Sequence, residues 1–121
     1  MRNVAVFDTN ILIDFSYQNE QAARVIKSYP GRLISIVTWI EFLTGVPYPY
    51  IEKAKGFLED MFEIIYPEQA VYEMTVQLRR EQRLKLPDAM IYATAKTEGV
   101  VLVTRNTNDF DGNQPDVHVP Y

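Results

Sequence analysis

Cysteine is absent from this chain of 121 residues, and glycine occurs only five times. Without cysteine the protein has no disulfide framework, no thiolate zinc site and no thiol nucleophile. The 47% hydrophobic content excludes collagen-like and intrinsically disordered chains. Because a chain of this length buries roughly two-thirds of its surface on folding, a core can form without cross-links. We therefore expect a single domain over residues 1–121.

Long apolar segments are also missing. The longest candidates, residues 33–37 and 100–103, are much shorter than the ~20 residues that a membrane-spanning helix needs. Polar residues at Asp8, Asn10 and Asp14 interrupt the apolar region that a secretory signal peptide requires. We therefore expect no membrane segment and a cytoplasmic location.

The net charge of −4 comes from 16 acidic residues against 12 lysines and arginines. This balance counts at first against a nucleic-acid partner, because contacts to phosphates need cations. If four carboxylates were gathered around a metal ion, however, the remaining acidic and basic residues would be equal in number. The charge is therefore compatible with a metal site beside a nucleic-acid surface.

Short β-type segments alternate with helical patterns along the whole chain. Strands are predicted at residues 4–7, 33–37, 64–66 and 100–103. Helices are predicted at residues 11–15, 20–29, 38–45, 51–62, 67–84 and 88–97. Asn19 is placed to cap the second helix, and Thr38 with Glu41 has the spacing of a capping box. Strands joined by helical crossovers form a parallel sheet that is covered on both faces, so we predict a three-layer α/β fold.

Three acidic residues lie where ligands collect in such a fold, beyond the carboxyl ends of the strands, and Asp88 is a fourth candidate. Asp8 ends the first strand, Glu41 lies one helical turn after the second, and Asp109 follows the strand at 100–103. Asp88 begins a helix behind Pro87, where it could also be an N-terminal cap. Each acid taken alone also fits a cap, a capping box or a turn.

Together these acids would need a cation. Carboxylates held ~5 Å apart repel by ~3 kcal/mol per pair at an effective dielectric constant of about 20. Mg²⁺ and Mn²⁺ prefer oxygen ligands, and the chain has no cysteine and one histidine for a softer metal. That histidine, His118, stands between two valines, which favours a terminal strand over a catalytic role.

Four segments give the chain a family resemblance. They are VFDTN at residues 6–10, SIVTWIEFLTG at 35–45, LPDAMI at 86–91 and TRNTNDF at 104–110. With these motifs in this order, the chain resembles the PIN-domain nucleases, and within them the VapC-type toxins of toxin–antitoxin pairs. The resemblance extends over almost the whole chain. It implies a central sheet of four or five parallel strands.

The resemblance also implies a function for the acids. Asp8, Glu41, Asp88 and Asp109 would bind Mg²⁺ or Mn²⁺ and support metal-dependent cleavage of RNA by an activated water. Polar neighbours would orient these acids, namely Thr9, Asn10, Thr104 and Asn106. Asp111 and Asn106 lie close enough to compete with Asp109 as the fourth position. Relatives of this type form homodimers and are inhibited by a small antitoxin protein, so both are expected partners in addition to RNA.

Two alternatives to an active nuclease remain at this point. A catalytically silent PIN-like module could bind metal or a partner without cutting RNA. A receiver-like signalling domain is disfavoured, because Asp8–Thr9 lacks the acidic pair of such domains and Arg105 stands in place of their lysine.

Cations and aromatic residues near the motifs offer a surface for RNA. Four cations, Arg79, Arg80, Arg83 and Lys85, fall within seven positions just before Asp88, and Arg105 is a weaker candidate. They could contact phosphates, or they could form a solvated helix face partly paired with Glu81.

Tyr48 and Tyr50 alternate with prolines in a loop after the helix that carries Glu41. Packing over the core is the first interpretation of these tyrosines. A subunit interface is the second, and stacking on unpaired bases is the third.

Overall fold

The computed structural model describes residues 3–121, which form a five-stranded sheet between two layers of helices. The strands are β1 (Val4–Phe7), β2 (Gly31–Ser35), β3 (Glu63–Ile65), β4 (Val101–Val103) and β5 (Val117–His118). The helices are α1 (Thr9–Ser16), α2 (Glu20–Lys27), α3 (Ile36–Thr44), α4 (Ile51–Met61), α5 (Gln69–Gln82) and α6 (Leu86–Glu98). The strand order is β3-β2-β1-β4-β5, and all neighbouring strands are parallel. The predicted three-layer α/β fold is confirmed, with five strands.

Alternating side chains bury the sheet on both faces. In β1, Ala5 and Phe7 pack into a core formed with α1, α2, α3 and α4, while Val6 packs into a second core formed with α5 and α6. Side chains of the neighbouring strand β2 alternate in the same way, with Ile34 in the first core and Leu33 in the second. Because both faces are covered, the carboxyl ends of the central strands are held in fixed positions.

Side-chain caps decide where two helices begin. Asn19 accepts a hydrogen bond from the Ala22 amide at 2.9 Å, as predicted. The capping box at Thr38 was wrong, because the Ser35 hydroxyl accepts from the Val37 amide at 3.0 Å and starts α3 earlier. The strand predicted at residues 33–37 is therefore shifted, and Glu41 lies in the middle of α3 rather than in its first turn.

The other predicted boundaries agree with the structure or differ from it by one or two residues. The second helix ends at Lys27, since the Ser28 hydroxyl bonds back to the Val25 carbonyl and closes the last turn. The last helix starts at Leu86 because Pro87 lacks an amide proton and fits a first helical turn. Within residues 3–121, no helix combines the length and the apolar character needed to cross a membrane.

Replacing glycine by alanine should change the free energy of unfolding in opposite directions at two positions in the helical layers. Gly99 ends α6 in a left-handed conformation, with φ of +70°. Because a Cβ strains the backbone in that conformation, Gly99→Ala should destabilise the protein by about 1 kcal/mol. Gly56 lies within α4 and a Cβ there meets no atom within 4 Å, so Gly56→Ala should stabilise by about 0.5–1 kcal/mol. Urea denaturation measures both free energies of unfolding. Changes of the same sign would contradict this assignment of the two backbone conformations.

Candidate active site

Asp8 lies at the point where the sheet order reverses, next to the carboxyl ends of β1 and β4. Its amide extends the ladder by donating to the Val103 carbonyl at 2.9 Å. The carboxylate is buried and accepts three hydrogen bonds. The Thr9 backbone amide donates to Oδ1 at 2.7 Å. The Thr104 hydroxyl and the Asn10 side-chain amide donate to Oδ2 at 2.7 and 3.2 Å. These donors hold the Asp8 carboxylate in one orientation.

Glu41 reaches the same place from α3. The Thr9 hydroxyl donates to Glu41 Oε1 at 2.6 Å, and the Thr38 hydroxyl oxygen lies 3.1 Å from that of Thr9. Thr9 therefore joins two acids, through its amide to Asp8 and through its side chain to Glu41. Thr38 is fully buried and was not identified from the sequence as a site residue. Its position three residues before Glu41, on the same face of a helix, is the signal that could have identified it.

Asp88 and Asp109 form the other half of the cluster. Asp88 lies in the first turn of α6, after the N-cap residue Lys85, so it is not the cap itself. Its carboxyl shares a hydrogen bond with that of Asp109. The Asn106 side chain supports Asp109 by donating to its Oδ2 at 2.9 Å and accepting from its amide at 3.3 Å. Asp111 instead accepts from the amide of a residue further along its own loop.

The pKa values show that the four acids act on one another. Burial raises the pKa of Asp8, and the negative charge of Glu41 adds to this, against the hydrogen bonds from Thr104, Thr9 and Asn10. Burial also raises the pKa of Asp88 to about 7, with further contributions from the hydrogen bond to Asp109 and from the charges of Asp8, Asp109 and Glu41.

The pKa of Asp109 is lowered by the hydrogen bonds from Asn106 and Asp88 and by the charge of Lys85. Of these two acids, Asp88 is therefore the one that holds a proton more strongly, and Asp109 the one that loses it more readily. Sequence motifs far apart along the chain have been brought into one electrostatic unit.

The donor set fits a hard divalent cation. Carboxylate oxygens are the ligands that Mg²⁺ and Mn²⁺ prefer, and a cation would relieve the repulsion that raises the pKa of Asp88. In this conformation, no three His, Cys, Asp or Glu side chains of residues 3–121 have the arrangement of a metal-ligand set. To hold such an ion, the carboxylates of Asp8, Glu41, Asp88 and Asp109 would therefore have to move closer together.

The cations predicted to bind RNA lie on the segment that leads to Asp88. Arg79 and Arg80 are in the last turn of α5, and Arg83 ends that helix in a left-handed conformation with φ of +58°. All four cations, including Lys85, are exposed. In the described part of the chain, none of them forms an ion pair with Glu81.

Arg105 is placed differently from those four cations. Its guanidinium donates to both carboxylate oxygens of Asp14, from Nε at 2.6 Å and from Nη2 at 3.0 Å. It is therefore held by a carboxylate on α1, which makes it a weaker candidate for a phosphate contact. Asp14 was not identified from the sequence as a site residue, although it is the one charged residue of α1.

Two further expectations concern aromatic residues and the histidine. Tyr48 is 91% exposed and Tyr50 is 60% exposed, so packing over the core was the wrong interpretation of this pair. His118 lies in β5, as predicted, and its Nδ1 is 3.0 Å from the Tyr29 hydroxyl.

The raised pKa of Asp88 predicts a pH-dependent effect of Asp88→Asn on stability. The pKa of about 7 in the folded protein exceeds the ordinary value of 3.8, so the folded state loses stability as pH rises between these values. In metal-free buffer Asp88→Asn should therefore raise the free energy of unfolding clearly at pH 8 and little at pH 4. Urea denaturation at both pH values tests this, with Asp111→Asn as the matched control. A gain independent of pH would contradict the electrostatic cause.

Comparison with known proteins identifies the family of this chain. The PIN domain family model matches residues 5–112, a span that includes all four acids. The chain is similar to ribonuclease VapC1 of Methanocaldococcus jannaschii, with 26% identity over 109 residues that cover 86% of this chain and 76% of that protein.

Solved structures of other proteins also share this fold. A toxin–antitoxin complex from Klebsiella pneumoniae contains a chain with 41% identity and a TM-score of 0.88, over 97% of this chain and 98% of that one. A DNA-bound VapBC from Salmonella typhimurium shares the fold, with a TM-score of 0.77 at 23% identity over 98% and 96% of the two chains. The match of the family model over most of the chain shows that this protein belongs to the PIN domain family.

Proposed function

We propose that this protein is a metal-dependent endoribonuclease and the toxin of a VapBC-type toxin–antitoxin pair. The observation that carries the proposal is the convergence of Asp8, Glu41, Asp88 and Asp109, whose mutual repulsion helps to raise the pKa of Asp88 to about 7. The names of its relatives support it, since one is a ribonuclease and another belongs to a toxin–antitoxin complex.

In this mechanism the four acids would hold Mg²⁺ or Mn²⁺, and the bound ion would supply activation of water and neutralisation of negative charge for phosphodiester hydrolysis. Thr104 and Asn10 fix the Asp8 carboxylate, and Thr9 fixes Glu41 relative to it.

The exposed side chains around the site would bind the RNA. Arg79, Arg80, Arg83 and Lys85 provide contacts to phosphates on the approach to Asp88. The exposed rings of Tyr48 and Tyr50 are available either to stack on unpaired bases or to contact a second subunit.

We further propose a small antitoxin as the inhibitory partner, a homodimer as the assembly, and the cytoplasm as the location. An acidic cluster attracts cationic side chains, so an antitoxin arginine could compete with the metal for the carboxylates. The similarity to a chain from a toxin–antitoxin complex supports the proposed partner.

A catalytically silent binding module is the second candidate. It is favoured by the lack of a preformed ligand set in residues 3–121. RNA cleavage by the unaltered protein in Mg²⁺, abolished by EDTA, would exclude this candidate. Metal binding without cleavage of any RNA would favour it.

The first test removes one charge from the cluster. Asp8→Asn should slow Mg²⁺-dependent cleavage of total RNA by about 100-fold or more, because a metal ion contributes several kcal/mol to such reactions. Cleavage rates are measured on gels with and without EDTA. Asp116→Asn, which removes a carboxylate paired with Lys96 at the opposite end of the sheet, is the control and should cleave normally. Unchanged rates for Asp8→Asn would refute the proposed site.

The second test reverses charge on the RNA surface. The double substitution Arg79→Glu and Arg83→Glu should slow cleavage at low salt. It should also reduce the slope of log rate against log salt by about two, one for each lost phosphate contact. The control reverses Arg24 and Lys27 on α2, a helix that contributes no acid to the cluster. Equal effects of both double variants would assign the result to net charge rather than to this surface.

A further inference from the structure

Asp14, Arg105 and Tyr121 form an ion-pair network beside the carboxylate cluster. The Arg105 guanidinium donates to both Asp14 oxygens, at 2.6 and 3.0 Å, and the Tyr121 hydroxyl donates to Asp14 Oδ2 at 2.7 Å. The Asp14 side chain is only 17% exposed. Burial alone would raise the pKa of Asp14, but the hydrogen bonds from Arg105 and Tyr121 outweigh it and hold the pKa below its ordinary value.

The backbone of Arg105 links this network to Asp8. Its amide donates to Asn10 Oδ1 at 3.1 Å, and the Asn10 side-chain amide donates in turn to Asp8 Oδ2. Thr104, the residue before Arg105, donates to the same Asp8 oxygen at 2.7 Å. Arg105 therefore contacts α1 at two residues, since its backbone amide bonds to Asn10 and its guanidinium bonds to Asp14.

The hydrogen bonds are distributed unequally between the two oxygens of Asp8. A carboxylate oxygen has two lone pairs. Within residues 3–121, both lone pairs of Oδ2 have a donor, from Thr104 and Asn10, whereas Oδ1 accepts from the Thr9 amide alone. Oδ1 thus retains one lone pair for a ligand, provided that Thr104 and Asn10 stay in place.

We propose that Asp14 and Arg105 are positioning residues that hold Thr104 and Asn10 against Asp8 Oδ2 and so reserve Oδ1 for a divalent cation. This inference rests on the proposed metal site. A forked guanidinium–carboxylate pair suits the role, since its two parallel hydrogen bonds fix orientation as well as distance. A lysine in place of Arg105 would keep the positive charge but could not form the two parallel hydrogen bonds.

The test measures Mn²⁺ affinity by calorimetry on the RNA-free protein. Asp14→Asn and Arg105→Gln should each weaken binding by about 10-fold, at the lower end of the range for groups that support metal ligands. The double variant should be no weaker than the single variants, because the two residues act as one unit. Arg105→Lys should restore part of the affinity.

The Lys96–Asp116 pair provides a matched control. Its Nζ and Oδ2 atoms are 2.8 Å apart, and its side chains are 28% and 33% exposed, so it is another partly buried ion pair of this fold. Lys96→Gln should lower the thermal midpoint by an amount similar to Arg105→Gln and leave Mn²⁺ affinity unchanged. An equal loss of affinity in the control would overturn the inference, because general destabilisation would then explain both.

Kinetics separate positioning from a direct contact with RNA. A positioning role predicts a lower kcat together with the weaker Mn²⁺ binding. A direct phosphate contact predicts a higher KM for RNA with unchanged Mn²⁺ affinity in Arg105→Gln, and that result would overturn the inference while leaving the nuclease intact. If the unaltered protein bound no Mn²⁺, the metal site and this inference would both be refuted.

Discussion

Burial of carboxylates at the carboxyl ends of β1 and β4, together with their repulsion of one another, is the constraint on which this part of the structure depends. Four acidic residues are brought close together by a sheet that is covered on both faces, and the pKa values of Asp8 and Asp88 are raised by burial first and by the neighbouring negative charges second. Hydrogen bonds from Thr104, Thr9 and Asn10 lower the pKa of Asp8 but do not outweigh its burial. The carboxylate cluster is therefore a part of the fold that costs stability near neutral pH, as is common at functional sites.

The topology explains why distant parts of the sequence supply this cluster. Asp8 directly follows β1, and Thr104 directly follows β4, which is the hydrogen-bonded neighbour of β1. Glu41 comes from the helix after β2, the neighbour on the other side. Parallel strands place all these ends at one edge, so residues nearly one hundred positions apart in sequence meet without any long loop.

The sequence was sufficient to predict the layers of the fold, because strand–helix alternation is a local pattern. The four motifs singled out four acids, and the fold brings these close enough together for their charges to affect the pKa of Asp88. The beginning of α3 was misjudged because Ser35 and Thr38 are both good caps, and only the three-dimensional path of β2 selects Ser35. The Asp14–Arg105 pair was missed for a different reason. It joins residues 91 positions apart, and no local pattern relates them.

The spacing within α1 has a consequence for how this chain can vary. Asn10 and Asp14 are four residues apart, so they stand on the same side of the helix and both reach the loop that follows β4. Inserting or deleting one residue between them would turn one side chain by about 100° relative to the other. We therefore expect natural length variation in this protein to be excluded from α1 and to be tolerated in surface segments such as residues 111–115.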